Sequence, residues 1–547
     1  MGFCMAPTAG PKAGQAGIRP SKAYRIRREA YKEKEAYEHM AAAATTKLPL
    51  KIGEDSTGAL VGHDPKNPKR DDKMTRMGTA SIPALITEFA VPSIVGLMVN
   101  GAYNIIAAIF LGQAMGEIGP STMAALNPIM TFFIAISMLV GVGGNALAAL
   151  RLGEGRRVDA EVSLGNTVTL SLIASVVVIL CAMIPAVLNG LITLASAPEA
   201  LRPYAASFTR IISFGFIFQC ISTGVNNFIR TAGAPNRALL TMIIGAVSCI
   251  LFNYLFVLQL HWGFEGCALA TVCGQAVSCV SVLWYFIFTK NVPLKLHLRY
   301  MKPHAKVMRT ILSLGLASFF IQAGVAVGGL VMNYLVTTYG AANPLGSQDS
   351  LAAIGVVQRV VMFTLLPIFG VSVAIQPLIG YNYGARLIPR VRKTFWYGVF
   401  GAVALGVVMW VLIHLFATQI AETFGITHEG LVDFTAFALK VQLMLIPLIG
   451  FQVVGSNYFQ ATGQPLKSAL LTLTRSIIFL IPLMIILPGV LPGIIPGVSD
   501  LAALCFAAPT ADFLSIFTTG VFVFFEMRRL TKFERGEVKG KYLSNPA

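Results

Sequence analysis

The chain has 547 residues, 55% hydrophobic and only 12% charged, about half the charged share of an ordinary soluble domain. That balance excludes a protein folded wholly in water, which would expose more apolar surface than solubility tolerates. The net charge of +17 does not point to a nucleic-acid partner. Lys and Arg gather in the first 80 residues, in certain short loops and in the C-terminal tail, and form no basic stripe interleaved with aromatics.

In chain order, residues 1–80 mix Lys, Arg, Glu, Pro and Gly, as in SKAYRIRREAYKEKEAYEHM, with no secretory signal pattern. They read as a cytoplasmic, largely disordered basic extension in which 21–42 can form a short charged helix. Apolar stretches follow near 82–112, 122–150, 163–188, 204–229, 237–259, 266–289, 307–338, 351–379, 394–418, 432–460, 467–489 and 502–527. Each is long enough to cross roughly 30 Å of hydrocarbon as a helix. Lipid leaves no partner for open backbone amides, so helices are the spanning form these lengths allow. The expectation is an all-α integral membrane protein. It has a six-helix lobe at 81–290, a cytoplasmic linker at 291–310, a second six-helix lobe at 311–530 and a cytoplasmic tail at 531–547.

The loops test that count. Arg151, Arg156 and Arg157 follow the second span, Arg230 and Arg237 flank the gap after the fourth, and Lys290 to Arg309 follow the sixth. Arg386 to Lys393 follow the eighth, Lys467 the tenth, and Arg528 to Lys541 the twelfth. The intervening loops GQAMGEIGPST, QLHWGFEG, TTYGAANPLGSQDS and ATQIAETFGITHEG hold neither Lys nor Arg, and the loop after the third span holds only Arg202. Such alternation predicts an even number of crossings with both termini cytoplasmic, in a plasma (inner) membrane.

The chain also repeats itself. NNFIRTAGAPNRALL at 226–240 recurs as SNYFQATGQPLKSALL at 456–471, pairing Asn227 with Asn457, Gly233 with Gly463, Pro235 with Pro465 and Arg237 with Lys467. MAALNPIM from Met123 resembles LAAIGVVQ from Leu351, and Gly153 has a counterpart in Gly384. Duplication of a unit with an even number of spans relates the halves by an axis along the membrane normal.

FAVPSI at 89–94, YNIIAAIFLG at 103–112, NNFIRTAGAP at 226–235, GFEGCALAT at 263–271, QPLIGYNYGAR at 376–386 and YFQATGQP at 458–465 together resemble the multidrug and toxic compound extrusion (MATE) family, in its bacterial MepA-like branch. The resemblance covers about residues 80–530. It implies a V-shaped pair of pseudo-symmetric lobes, alternating access, and export of drugs or organic cations in exchange for H⁺ or Na⁺, by a monomer in contact with membrane lipid. No GxxxxGK[ST] phosphate loop and no soluble domain large enough to hydrolyse a nucleotide occur, so either a gradient supplies the energy or the protein is passive. An enzyme is not expected: no HxxxH, HExxH or paired intramembrane carboxylates fall within a span. No cofactor or metal is expected beyond the coupling ion, and the eight Cys, without a CxxC pair, read as spectator thiols.

Ionisable residues inside a span cost roughly 2.5–3.5 kcal/mol on insertion scales and are functional candidates by default. Glu88 and Asp512 are the ion-coupling candidates; the plainer readings are an interfacial residue and a helix N-cap. Arg359 and Arg475 either neutralise Asp512 or cap helix ends. The resemblance implies an amino-terminal cation site that is degenerate here. Ala107 stands where relatives carry Asp, Cys249 and Asn253 where they carry Asn and Asp, and only Thr271 is retained. Tyr103, Asn104, Gln322, Asn333, Gln376 and Asn382 are candidates to line a substrate cavity, or to join helices by hydrogen bonds. A lipid-linked precursor flippase of related architecture is the alternative. It calls for a wide cationic groove, whereas Arg210 is the one basic residue counted inside the first six spans.

Overall fold

The computed structural model describes residues 68–115, 118–194, 202–289, 292–341, 346–424, 429–496 and 499–534, and these are helical throughout apart from short connections. Among the described residues, eleven helices are long and apolar enough to cross a membrane: Ile82–Met115, Leu126–Gly153, Arg157–Met183, Arg202–Thr231, Pro235–Gln259, Gly263–Phe288, Ala305–Ala341, Asp349–Gly384, Ile388–Thr423, Pro465–Ile494 and Asp500–Lys532. A twelfth is Gly430–Gln442 with Ile446–Ala461, bent by 45° at the break. They are numbered spans 1–12 in chain order below, the bent pair being span 10.

The boundaries differ from the sequence reading at three places. Pro68–Thr79 is a helix within the stretch read as disordered, and its Met77 is 1% exposed in the core. The segment 21–42 lies outside the described residues. Span 7 begins at Ala305, inside the expected linker, and the last helix runs to Glu534. The linker is also tightly held. Glu161 of span 3 accepts from the Lys295 amide at 3.1 Å, while Asn166 and Thr169 donate to the carbonyls of Tyr300 and Met301 at 3.2 and 2.6 Å. The connection between the halves is therefore part of the first half's surface.

Proline does not decide the bends alone. Spans 1 and 8 run unbroken through Pro92, Pro367 and Pro377. Span 10 breaks just before Ile446–Pro447, where proline opens the second segment. Span 9 kinks at Phe416 (φ −113°, ψ 16°). Wider π turns occupy Cys220–Val225, Tyr254–Gln259 and Thr474–Phe479, in spans 4, 5 and 11. Such turns bring extra residues toward a neighbour and recur at functional sites.

Spans 1–6 and 7–12 form two bundles that meet through spans 1, 2, 7 and 8. At the arginine-rich face the meeting is between backbones. A Cβ on Gly153 would strike the Tyr381 carbonyl and one on Gly384 would strike the Leu150 carbonyl, and each would also fall within about 3.0 Å of the other glycine's Cα. The 231-residue step from Gly153 to Gly384 also leads from Leu150 to Tyr381. The two contacts are therefore repeat equivalents, as in an isologous two-fold interface. Nearby, Gly143 lies on the Ile311 carbonyl and Gly315 on that of Leu139. Toward mid-depth, Phe132 of span 2 meets Phe319 of span 7 at 6.2 Å, and Gly101 of span 1 abuts Phe363 of span 8. Span 1 has neighbours in spans 2, 5, 6, 8 and 9, yet only 22% of its apolar window is buried. Much of its apolar surface is therefore left uncovered by protein.

Gly315→Leu drives a side chain into the Leu139 carbonyl. Overpacking of this kind costs about 1–3 kcal/mol, so the melting temperature should fall, and a reporter cysteine at Ala149 in a cysteine-free background should label faster. Unchanged melting and labelling would remove the seam from the account.

Candidate functional site

The two halves differ in their interior chemistry. In the first half, the positions of the degenerate cation site lie on spans that pack together: Ala107 on span 1, Cys249 and Asn253 on span 5, Thr271 on span 6. Spans 5 and 6 approach closely because Gly274 faces Cys249, where an added Cβ would sit 2.7 Å from the cysteine Cβ. Ala107 is 8% exposed and Asn253 is fully buried. The Asn253 amide donates to the Cys249 carbonyl at 2.9 Å and Thr271 donates to the Cys267 carbonyl at 3.0 Å. The Asn253 carbonyl oxygen has no hydrogen-bond partner among the described residues. Every group in this cluster is a neutral one, and a hard cation prefers anionic oxygen.

Among the described residues, one buried cation does lie in this half. By the helix bounds Arg151, Arg157, Arg202, Arg230 and Arg237 also fall within the first six spans, a correction to the count of basic residues there, and Arg230 lies inside span 4, which continues to Thr231. Arg230 is 4% exposed and donates to Asn227 at 2.6 Å and to the Met242 sulfur at 3.3 Å. Arg210 is on the exposed side of the same span.

In the second half, Asp512 is 5% exposed and accepts from Arg475 Nε at 2.7 Å. Arg475 occupies the π turn of span 11, which presents its guanidinium to span 12. Asp512 is not an N-cap: it lies inside the helix Ala507–Glu534, and the capping role nearby belongs to Ser499, which accepts from the Ala502 amide at 3.2 Å. Arg359 is exposed on span 8. Glu88 is half-buried and pairs with Arg76 of the leading helix at 2.9 Å.

The cavity candidates divide by burial. Tyr103 and Gln322 are half-buried, and Asn104 and Asn333 are exposed, on spans 1 and 7. Gln376 and Asn382 are 3% and 1% exposed and face protein instead. Gln376 donates to Gln460 at 3.3 Å, and Gln460 donates to the Leu314 carbonyl at 2.7 Å, tying spans 7, 8 and 10 together. Asn382 donates to the Met77 carbonyl at 3.2 Å. Gln460 is the repeat counterpart of Arg230.

Two buried carboxylates went unread in the sequence. Glu161 holds the linker, and Glu526, 1% exposed, accepts from Gln464 at 2.6 Å and Lys467 at 3.0 Å and pairs with Arg529 at 3.1 Å. Their signal was local: each has an arginine three or four residues away along its own helix. No cluster of three or more His, Cys, Asp or Glu among the described residues is placed to hold a metal.

Comparison with known proteins follows this geometry. The MatE family model matches residues 92–255 and 317–486, one stretch in each half. The chain belongs to the MatE family. It is similar to the multidrug export protein MepA of Staphylococcus haemolyticus, 23% identical over 418 residues that cover 76% of this chain and 90% of that protein. Among solved structures, the MATE multidrug transporter DinF-BH, solved as a complex, matches with a TM-score of 0.74 and 31% identity, over 82% of this chain and 96% of that one. An outward-facing multidrug resistance MATE family transporter matches with a TM-score of 0.76 and 21% identity, over 84% and 98%. This MatE chain is thus a MepA-like, multi-pass membrane protein with up to twelve candidate membrane spans among the described residues.

Breaking the Asp512–Arg475 pair from one side leaves a buried charge unmatched, which costs about 3–5 kcal/mol, while neutralising both partners costs much less. In thermal unfolding, Asp512→Ala and Arg475→Met should each destabilise more than the double variant does. Strict additivity would show that the two side chains do not act as a pair.

Proposed function

We propose that this MatE protein is a secondary active multidrug efflux transporter that exchanges amphipathic, cationic organic compounds for H⁺ or Na⁺ through its second half. It sits in the plasma membrane with the arginine-rich loops and both termini in the cytoplasm. On that side the glycine seam packs the two halves together. The observation that carries the coupling assignment is the buried Asp512–Arg475 pair set against a first-half cluster of neutral groups.

The mechanism follows from the pair. A proton arriving on Asp512, or a Na⁺ displacing Arg475 from it, dissolves the ion pair that ties span 11 to span 12. Span 11 is the place where this matters, because its π turn also packs against span 7, where Gly324 faces Ser476. Loosening the turn changes how span 7 is held, and span 7 borders the seam through Gly315. Coupling requires that the ion and the drug favour opposite conformations, since a ligand that binds both equally shifts nothing. The abundant Phe and Met (35 and 20 residues) suit cationic, variably shaped cargo. The flippase alternative is not favoured: the first half holds one buried guanidinium, not a wide cationic groove.

The test is drug uptake into everted vesicles under separately imposed pH and sodium gradients. Wild type should respond to one gradient. Asp512→Asn should lose that response by tenfold or more while still binding drug, and Glu88→Gln should keep it. Gradient-driven uptake that survives in Asp512→Asn would contradict the coupling assignment.

A further inference from the structure

The arginine-rich face carries a groove that transport leaves unused. One cavity of about 410 Å³ lies along the start of span 9, lined by Arg392, Lys393, Trp396, Tyr397 and Phe400. A second, of about 260 Å³, continues from it through Lys393 and Tyr397 and reaches Ser81 and Pro83 at the start of span 1, in the other half of the molecule.

The charge in this groove is one-sided. Among the described residues, no acidic side chain lines either cavity. Arg390 spends its guanidinium on Asn382 at 3.1 Å and on the carbonyls of Ala80 and Met77 at 2.7 and 3.3 Å, and so stays cationic without a carboxylate. Arg392 donates to Thr531 at 2.6 Å and to the Met527 carbonyl at 3.3 Å, also without one. Lys393 is exposed, with no ion pair among the described residues. Below these cations, Trp396, Tyr397 and Phe400 follow Lys393 at intervals of three, four and seven residues and are 51%, 47% and 72% exposed. Those intervals put them on one stripe of a membrane-spanning helix. Cations at the headgroup level above aromatic side chains match an amphiphile with an anionic head.

We propose that this groove seats an anionic phospholipid, with its phosphate against Lys393 and its acyl chain along Trp396, Tyr397 and Phe400. The headgroup touches both halves of the molecule, beside the bonds by which Arg390 already joins span 9 to the helix before span 1. The bound lipid is thus a third element of the seam on the arginine-rich face, and this assignment does not depend on the coupling ion.

Native mass spectrometry of the full chain tests it, with dioleoylphosphatidylglycerol and dioleoylphosphatidylcholine offered at equal concentration. Wild type should retain phosphatidylglycerol in preference. Lys393→Gln should lower that preference roughly fivefold, the factor one basic group near an anionic surface supplies, while Lys393→Arg keeps it. Phe400→Ala should weaken both lipids, and Lys440→Gln, elsewhere on the surface, should change neither. All these positions are exposed, and unchanged melting temperatures check the fold. Equal retention of the two lipids by wild type, or a preference untouched by Lys393→Gln, overturns the proposal. So does competition by glycerol 3-phosphate as strong as by the lipid itself, which would make this a site for soluble anions.

Discussion

The contact on which the architecture depends is the one between Gly153 and Gly384. Each stands where a side chain would collide with a carbonyl of the other half, and each is the other's counterpart in the internal repeat. A two-fold relation brings equivalent residues together at its axis, so the place where a repeat touches itself locates that axis. In lipid there is no hydrophobic force to press two bundles together, and close backbone packing through small residues takes its place. The seam is therefore both what joins the halves and what must part if the face is to open.

Around that axis the halves have diverged in charge. Spans 5 and 6 present amide, thiol and hydroxyl groups, and the buried ionisable groups of that half, among the described residues, are Arg230 and Glu161, both near the arginine-rich face. Spans 11 and 12 enclose a complete ion pair. The repeat keeps the positions and changes the chemistry: Arg230 in one half answers to Gln460 in the other, where the amide links three helices instead of carrying charge. Duplicated scaffolds permit this, because packing constrains the small residues of the seam more tightly than the polar residues inside each bundle.

Much of this was legible in the sequence, and for a physical reason. Crossing lipid needs long apolar runs, and orientation leaves its mark in the placement of Lys and Arg, so span number and loop sidedness are written locally. The repeat was readable through Gly153, Gly233 and Pro235 and their partners, because backbone approach and helix starts admit few substitutes. Side-chain pairing across the bundle was harder. Asp512 stood out as a charge in a span, but its choice of Arg475 over Arg359 depends on a π turn that no local pattern announces. Gln376 and Asn382 looked like cavity residues by type and are sealed by their neighbours, whereas Asn104 and Asn333, no different on paper, are exposed. Glu161 and Glu526 were hidden among basic loop residues, and their burial comes from a linker and a loop folding back over them.

The most direct measurement of the central claim, two halves moving about the seam, is a pair of electron-spin distances in one preparation reconstituted in lipid. One pair of labels, at Val158 and Leu466, spans the arginine-rich face; the other, at Leu260 and Ile495, spans the opposite face, and all four positions are 45% exposed or more. When drug is added or the coupling gradient is reversed, the first distance should lengthen as the second shortens. Distances that stay fixed, or that change in the same sense, would contradict a seam that opens.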